Sequence, residues 1–203
     1  MRWIDSLRFW LQGIILLRHP ELVRWLGEQR FHLQLVDRAR RAAPLAKIAD
    51  SVQLIGYEED RLEIAEHATV EHGSLLAFGD DYNGFGRICI GAHAWIGQYN
   101  NFRASRGADI RIGSHCLISQ FCTLVGSNHA IRRDQYIREQ GPDTARLGVV
   151  LRDDVWLGAG VTVTPGVSIG VGCVVGANSV VTESVPDYEI WAGCPARKLG
   201  ERH

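Results

Sequence analysis

The sequence has little of what usually assigns a function at sight. Its 22 Lys and Arg stand against 23 Asp and Glu, a formal net charge of −1, and no long basic run exists. That balance gives no electrostatic footprint for nucleic acid. The five cysteines, Cys89, Cys116, Cys122, Cys173 and Cys194, form no CxxC pair. Neither a zinc site nor a disulfide framework is spelled out, and small core thiols in a reducing compartment are the expectation. No apolar run is long enough for a bilayer: Phe9 to Leu17 is short and contains Gln12 and Gly13. Arg2, Asp5 and Arg8 interrupt the first apolar residues and no small-residue cleavage site follows, so a secretory leader is not expected. A cytoplasmic location is.

What the chain does have is a period of six. Residues 151–186 divide into LRDDVW, LGAGVT, VTPGVS, IGVGCV, VGANSV and VTESVP. The first position is Leu151, Leu157, Val163, Ile169, Val175 and Val181; the fifth is Val155, Val161, Val167, Cys173, Ser179 and Val185. A period of six fits neither an amphipathic helix nor an alternating strand. It fits a chain that turns a corner after every short strand, with the aliphatic first position inside and the small fifth position beside it. Glycine is frequent, at 22 residues, as repeated tight corners require. Three hexads make one triangular coil, and stacked coils bury one column of aliphatics.

The same period is weaker upstream. Ile64, Val70 and Leu76 are six apart, as are Ile90, Ile96 and Phe102, and Ile112, Ile118 and Leu124. Residues 79–87 (GDDYNGFGR) and 105–109 break the register and read as loops. Residues 130–148 (AIRRDQYIREQGPDTARLG) contain no hexad and read as a loop extruded at a corner, where solenoids tend to carry function. Three segments are therefore expected: a helical segment over 1–43, a β-helix over 44–186 with the extruded loop 130–148, and a loop with a short basic helical tail over 187–203. In the first, Trp3, Leu7, Trp10, Ile14 and Leu17 share one helical face, and Pro20 opens a second helix containing Leu22, Leu26, Leu33 and Val36. Two roles stand for it: a cap on the open first coil, or an interfacial helix over residues 1–40 that makes peripheral contact with a membrane.

Fold alone assigns no reaction. The segments LVGSNHAI, IREQG, VVLRDDVWLGAGVTVTPGVSIGVGCVVGANSVVTESVP and IWAGCPARKLGER resemble the hexapeptide-repeat acyltransferases. They are most similar to the branch holding bacterial sugar and polysaccharide O-acetyltransferases. The resemblance covers roughly residues 88–200. It implies a left-handed parallel β-helix, a homotrimer with active sites between neighbouring subunits, acetyl-CoA as co-substrate, and a saccharide acceptor in polysaccharide or O-antigen biosynthesis; no ligand set with metal spacing is present, so no metal is expected.

The resemblance also implies roles. His129 matches the family's catalytic histidine. An imidazole with a pKa near 6.5 can take the proton of a poorly nucleophilic hydroxyl as it attacks a thioester, help worth roughly a hundred- to ten-thousand-fold. Trp156 is implied beside the acetyl and acceptor groups, and Asn100 or Asn101, the latter preferred, at the acceptor. The donor's pantetheine arm is implied along Gly158, Ala159, Ala177 and Thr182, with Arg197 or Lys198 on the phosphates. Some relatives have a basic residue after the threonine; this chain has Glu183, which shifts the weight to Arg197. Backbone N–H groups at the Gly158–Ala159 turn are expected to meet the oxyanion. His93 and His115 occupy corners, where solvent-facing residues are expected rather than zinc ligands. An amino-sugar N-acetyltransferase, a xenobiotic acetyltransferase and a non-enzymatic scaffold are the competing functions.

Overall fold

The structure, a computed structural model, describes residue 13 and residues 18–203. The helical face expected over Trp3 to Leu17 lies almost wholly outside the described residues. The chain divides into two compact units, 1–35 and 36–203. One helix, α1 (Pro20–Ala42), starts with Pro20 as its first residue, where the missing N–H costs nothing. The alternation of Phe31, Leu33 and Leu35 does not make a strand; all three lie in α1. In the first unit Leu22, Trp25, Leu26, Phe31 and Leu33 are exposed. In the second, the end of the helix buries Val36 and Ala39. Arg40 Nε donates to Ile48 O at 3.0 Å and its Nη2 pairs with Asp50 at 2.7 Å, which ties the helix end to the first strands.

The second unit is a coil of short strands in three parallel sheets. Face one runs Lys47–Ile48, Thr69–Val70, Trp95–Ile96, Leu117–Ile118, Trp156–Leu157, Val174–Val175 and Glu189–Gly193. Face two runs Gln53–Ile55, Leu75–Ala77, Asn101–Arg103, Thr123–Val125, Thr162–Val163 and Val180–Val181. Face three runs Leu62–Ile64, Ile88–Ile90, Ile110–Ile112, Val149–Leu151 and Val167–Ile169. Where no loop intervenes the register is one coil of three hexads: Trp156 lies opposite Val174, Leu151 opposite Ile169 and Val163 opposite Val181. All six first positions from Leu151 to Val181 are buried, as are all six fifth positions. The column continues upstream through Leu124, Ile118, Phe102, Ile96 and Leu76, each fully buried.

The corners divide their demands between two hexad positions. The left-handed backbone falls at the fourth position: Asp154 (φ 59°), Gly160 (71°), Gly166 (77°), Gly172 (66°) and Asn178 (56°). Glycine is only one occupant there; His93, Tyr99, His115 and Phe121 hold the same conformation in earlier coils. The second-position glycine answers to distance instead. A Cβ on Gly158 would stand 2.7 Å from Ala177 N of the next coil.

The interruptions are local. Residues 79–85 form a small antiparallel hairpin, Gly79–Asp80 against Gly84–Phe85. Ser105 and Ala108 close a tight loop as a β-bridge. The extruded loop is pinned at its neck by a bridge between His129 and Pro142.

The helical tail expected after residue 187 is not formed. Glu189–Gly193 joins face one beside Val174–Val175, and Ala196–Glu201 folds back on it antiparallel. Pairing with an open sheet edge outweighs the helix propensity of ARKLGER, and Pro195 sits in the turn between the strands.

Candidate active site

His129 follows Thr123–Val125, at the point where the chain leaves face two. Its backbone is bridged to the returning loop: Ala130 N donates to Gly141 O at 3.0 Å and Asp143 N to Asn128 O at 2.7 Å. Its Nδ1 lies 3.3 Å from Gln140 O. A carbonyl only accepts, so in the neutral ring this contact favours the proton on Nδ1 and the lone pair on Nε2.

Gln140 is what holds that carbonyl. It is 1 % exposed although it sits in a surface loop. Its Oε1 accepts from Arg132 N at 2.8 Å, and its Nε2 donates to Arg132 O at 2.9 Å and to Gln135 O at 3.0 Å. The amide thus braces the loop from within. The sequence identified no group to orient the imidazole, because nothing in the IREQG pattern says that this glutamine turns inward.

Beside His129 lies an open cleft of about 290 Å³. Its walls include the hairpin residues Asp80 and Asn83, the face-two residues Ile55, Ala77, Arg103 and Val125, and Ser127. Ser105 Oγ and Ser127 Oγ are 2.8 Å apart at its rim.

Asn101 lies on face two, and Gly158, Ala159, Ala177 and Thr182 lie at its corners. Asn101, Thr123, Thr162 and Val180 stand in one register across four coils. Asn101 Oδ1 is buried without a hydrogen-bond partner, whereas its neighbour Asn100 is spent inside the coil, donating to Gly97 O and accepting from Cys122 N. Gly158, Ala159 and Ala177 lie at the corner that leads into face two, with Asn178 N bonded to Ala159 O at 2.8 Å. Thr182 lies at the far corner, its carbonyl accepting from Arg146 Nη2 at 2.6 Å.

Gly158 N–H donates to Val175 O at 2.8 Å, so it belongs to the sheet and not to an oxyanion site; Ala159 N–H is the corner donor that remains. Lys198 is held by two carboxylates, Glu189 and Glu201, both at 2.7 Å, while Arg197 meets Glu183 at 3.7 Å. Arg197 is the less committed of the two cations. Trp156 lies on face one, 49 % exposed, in a groove with His115, Leu117, Asp154 and Arg202. Within one chain Trp156 and His129 line different clefts.

The corner histidines are exposed and stacked. His67, His93 and His115 form a column with ring centroids 5.0 and 4.9 Å apart. Among the described residues no group of three His, Cys, Asp or Glu is arranged to hold a metal ion.

Residues 148–183 match the family described as bacterial transferase hexapeptide (six repeats). The chain is 35 % identical over 186 residues to a putative acetyltransferase of Saccharomyces cerevisiae, covering 90 % of this chain and 86 % of that one. The chain belongs to the hexapeptide-repeat acetyltransferases. It is 36 % identical over 114 residues to a galactoside O-acetyltransferase of Lactococcus lactis, 54 % of either protein. It is 57 % identical over 94 residues to a putative lipopolysaccharide biosynthesis O-acetyl transferase of Escherichia coli, 43 % of this chain and 48 % of that one. The chain spans about half the length of these two relatives. An N-acyltransferase from Bacillus cereus, solved with dTDP and 3-hydroxybutyryl-CoA, shares the fold with a TM-score of 0.65 at 22 % identity, over 79 % of this chain and 82 % of that one.

Proposed function

We propose that the protein is an acetyl-CoA-dependent O-acetyltransferase that acetylates a saccharide hydroxyl in polysaccharide or O-antigen biosynthesis, with His129 as general base. The observation that carries this reading is the fixed imidazole. Nδ1 faces the Gln140 carbonyl and the ring borders an open cleft. Nε2 is then the basic nitrogen, at the end of the face that holds the small corners Gly158, Ala159 and Ala177.

The thioester of acetyl-CoA supplies an activated carbonyl and a thiolate leaving group. Small corners and a row of short outward side chains suit a long, thin pantetheine arm, with Thr182 along its course and Arg197, more than Lys198, toward its phosphates. His129 Nε2 accepts the hydroxyl proton as that oxygen bonds to the acyl carbon, and returns it to the departing sulfur. Ala159 N–H is the donor proposed for the developing oxyanion. Asn101, with its unpaired Oδ1, is proposed to orient the acceptor. No acyl-enzyme is required, so no nucleophilic side chain has to be found.

Trp156 fits this reading in an assembly. It is proposed to reach the site of a neighbouring subunit, which makes the functional unit a homotrimer of left-handed coils. Residues 1–40 are proposed to bring this assembly to the inner face of the cytoplasmic membrane. The exposed Leu22, Trp25, Leu26, Phe31 and Leu33 of α1 support that contact. No described helix is long and apolar enough to cross a membrane.

A second reading is an amino-sugar N-acyltransferase, favoured by the Bacillus cereus neighbour; the same imidazole serves an amine. Labelled acetyl-CoA offered with a panel of sugars and amino sugars separates the two. Label in an alkali-labile ester supports O-acetylation, label in a stable amide supports the alternative, and label in neither overturns both.

A further inference from the structure

We infer that the acceptor is an anionic saccharide, and that Arg103 binds its phosphate or carboxylate while a sugar hydroxyl faces His129. This rests on the reading of His129 as the base and adds the charge of the substrate to it.

Arg103 and His129 border the same cleft. Arg103 stands outward on face two between Ala77 and Val125, neither of which offers a charge. Two arginines of face three are ion-paired instead: Arg87, just before Ile88–Ile90, meets Glu63 at 3.7 Å, and Arg111 meets Asp109 at 3.0 Å. Among the described residues no carboxylate lies within 4.0 Å of the Arg103 guanidinium.

The carboxylate that borders the cleft is already spent. Asp80 Oδ1 accepts from Tyr82 N at 3.0 Å, Asn83 N at 2.7 Å and Asn83 Nδ2 at 3.1 Å, and Oδ2 accepts from Asn83 Nδ2 at 3.0 Å. These bonds from Asn83 and Tyr82 hold its carboxyl below the usual carboxylate range, so it stays ionised and folded into its own turn.

The hairpin that carries Asp80 is closely packed at its base. Gly79 has φ of 118°, and a Cβ there would stand 2.1 Å from Gly84 O. The Arg61 guanidinium lies 3.8 Å over the Phe85 ring and also donates to Gly56 O at 2.8 Å. A guanidinium with no carboxylate paired to it, on the cleft that His129 also borders, makes an anion subsite. Guanidinium recognises carboxylate and phosphate through paired, charge-assisted bonds that a neutral hydroxyl cannot match.

The full-length protein is titrated by calorimetry with methyl glucoside, methyl glucuronide and glucose 1-phosphate. At least one anionic sugar is expected to bind ten times more tightly than the neutral one or better. Whichever is tighter tells carboxylate from phosphate. Arg103→Gln is expected to bring that ratio close to one, and Arg103→Lys to keep part of it, with circular dichroism unchanged in both. Equal affinities in the wild type, or an unchanged ratio in Arg103→Gln, would overturn the inference. Transfer from labelled acetyl-CoA is measured on the same sugars. Arg103-dependent binding without any transfer would refute the acetyltransferase reading and leave the anion subsite standing.

Discussion

The two ring nitrogens of His129 have different surroundings. Nδ1 faces the Gln140 carbonyl, and Nε2 is the nitrogen proposed for the proton transfer. His129→Ala removes the base without touching the buried column, so turnover is expected to fall at least a hundredfold with the fold and oligomer retained. Steady-state rates with gel filtration check this, and unchanged turnover would take His129 out of the mechanism. The cysteines make the opposite case, residues whose environment keeps them inert. Cys116 Sγ donates to Arg152 O at 3.0 Å and Cys122 Sγ to Gly158 O at 3.2 Å, bonds that run from one coil to the next. Burial pushes both thiols from the ordinary 9.0 up to about 11. A pKa raised on folding stabilises the folded state fully below pH 9, and that contribution is lost as pH climbs toward 11. Urea midpoints should therefore drop between pH 8 and pH 10.5, and drop less in Cys116→Ala and Cys122→Ala. At pH 8 iodoacetamide should label the exposed Cys194 first and reach Cys116 and Cys122 only after unfolding, as read by mass spectrometry.

Among elements, the extruded loop depends on one buried amide. Gln140→Ala leaves Arg132 N, Arg132 O and Gln135 O without their partner and loosens the neck that aligns the imidazole. Turnover is expected to fall about tenfold or more, amide exchange to rise over residues 130–141, and the urea midpoint to move little, because the loop lies outside the coil. A large loss of global stability with normal loop protection would contradict that role. The corners respond differently. Gly158→Val forces a side chain toward the backbone of Ala177, 2.7 Å from where its Cβ must sit. Overpacking of this kind costs about 1–3 kcal/mol. It should lower the melting temperature and weaken CoA binding together, since the proposed course of the pantetheine arm passes the same corner.

Over the whole molecule, the two aromatic and imidazole residues implied for catalysis lie on different faces of one chain. Trp156 belongs to face one, and His129 leaves face two. Light scattering is expected to give three times the 22.6 kDa of the chain. Mixed trimers sharpen the test. His129→Ala and Trp156→Ala chains, unfolded together and refolded, should recover activity above either parent if each site takes one residue from each of two subunits. A simple average of the parents would mean that each site is made within one chain.

The period of six determined the coil by itself. The aliphatics at Leu151, Leu157, Val163, Ile169, Val175 and Val181 are buried together when the chain turns after each short strand, and the sheets show that register. His129 was singled out by the family resemblance, and it stands where the regular pattern stops. The rest was decided by contacts between residues far apart in the chain. The inward turn of Gln140 depends on how the loop closes, and the tail became a hairpin because an open sheet edge was waiting beside Val174 and Val175. Arg103 looks like any outward arginine in the sequence. Its meaning comes from the spent carboxylate of Asp80 and from the cleft it shares with His129, and spacing along the chain encodes neither.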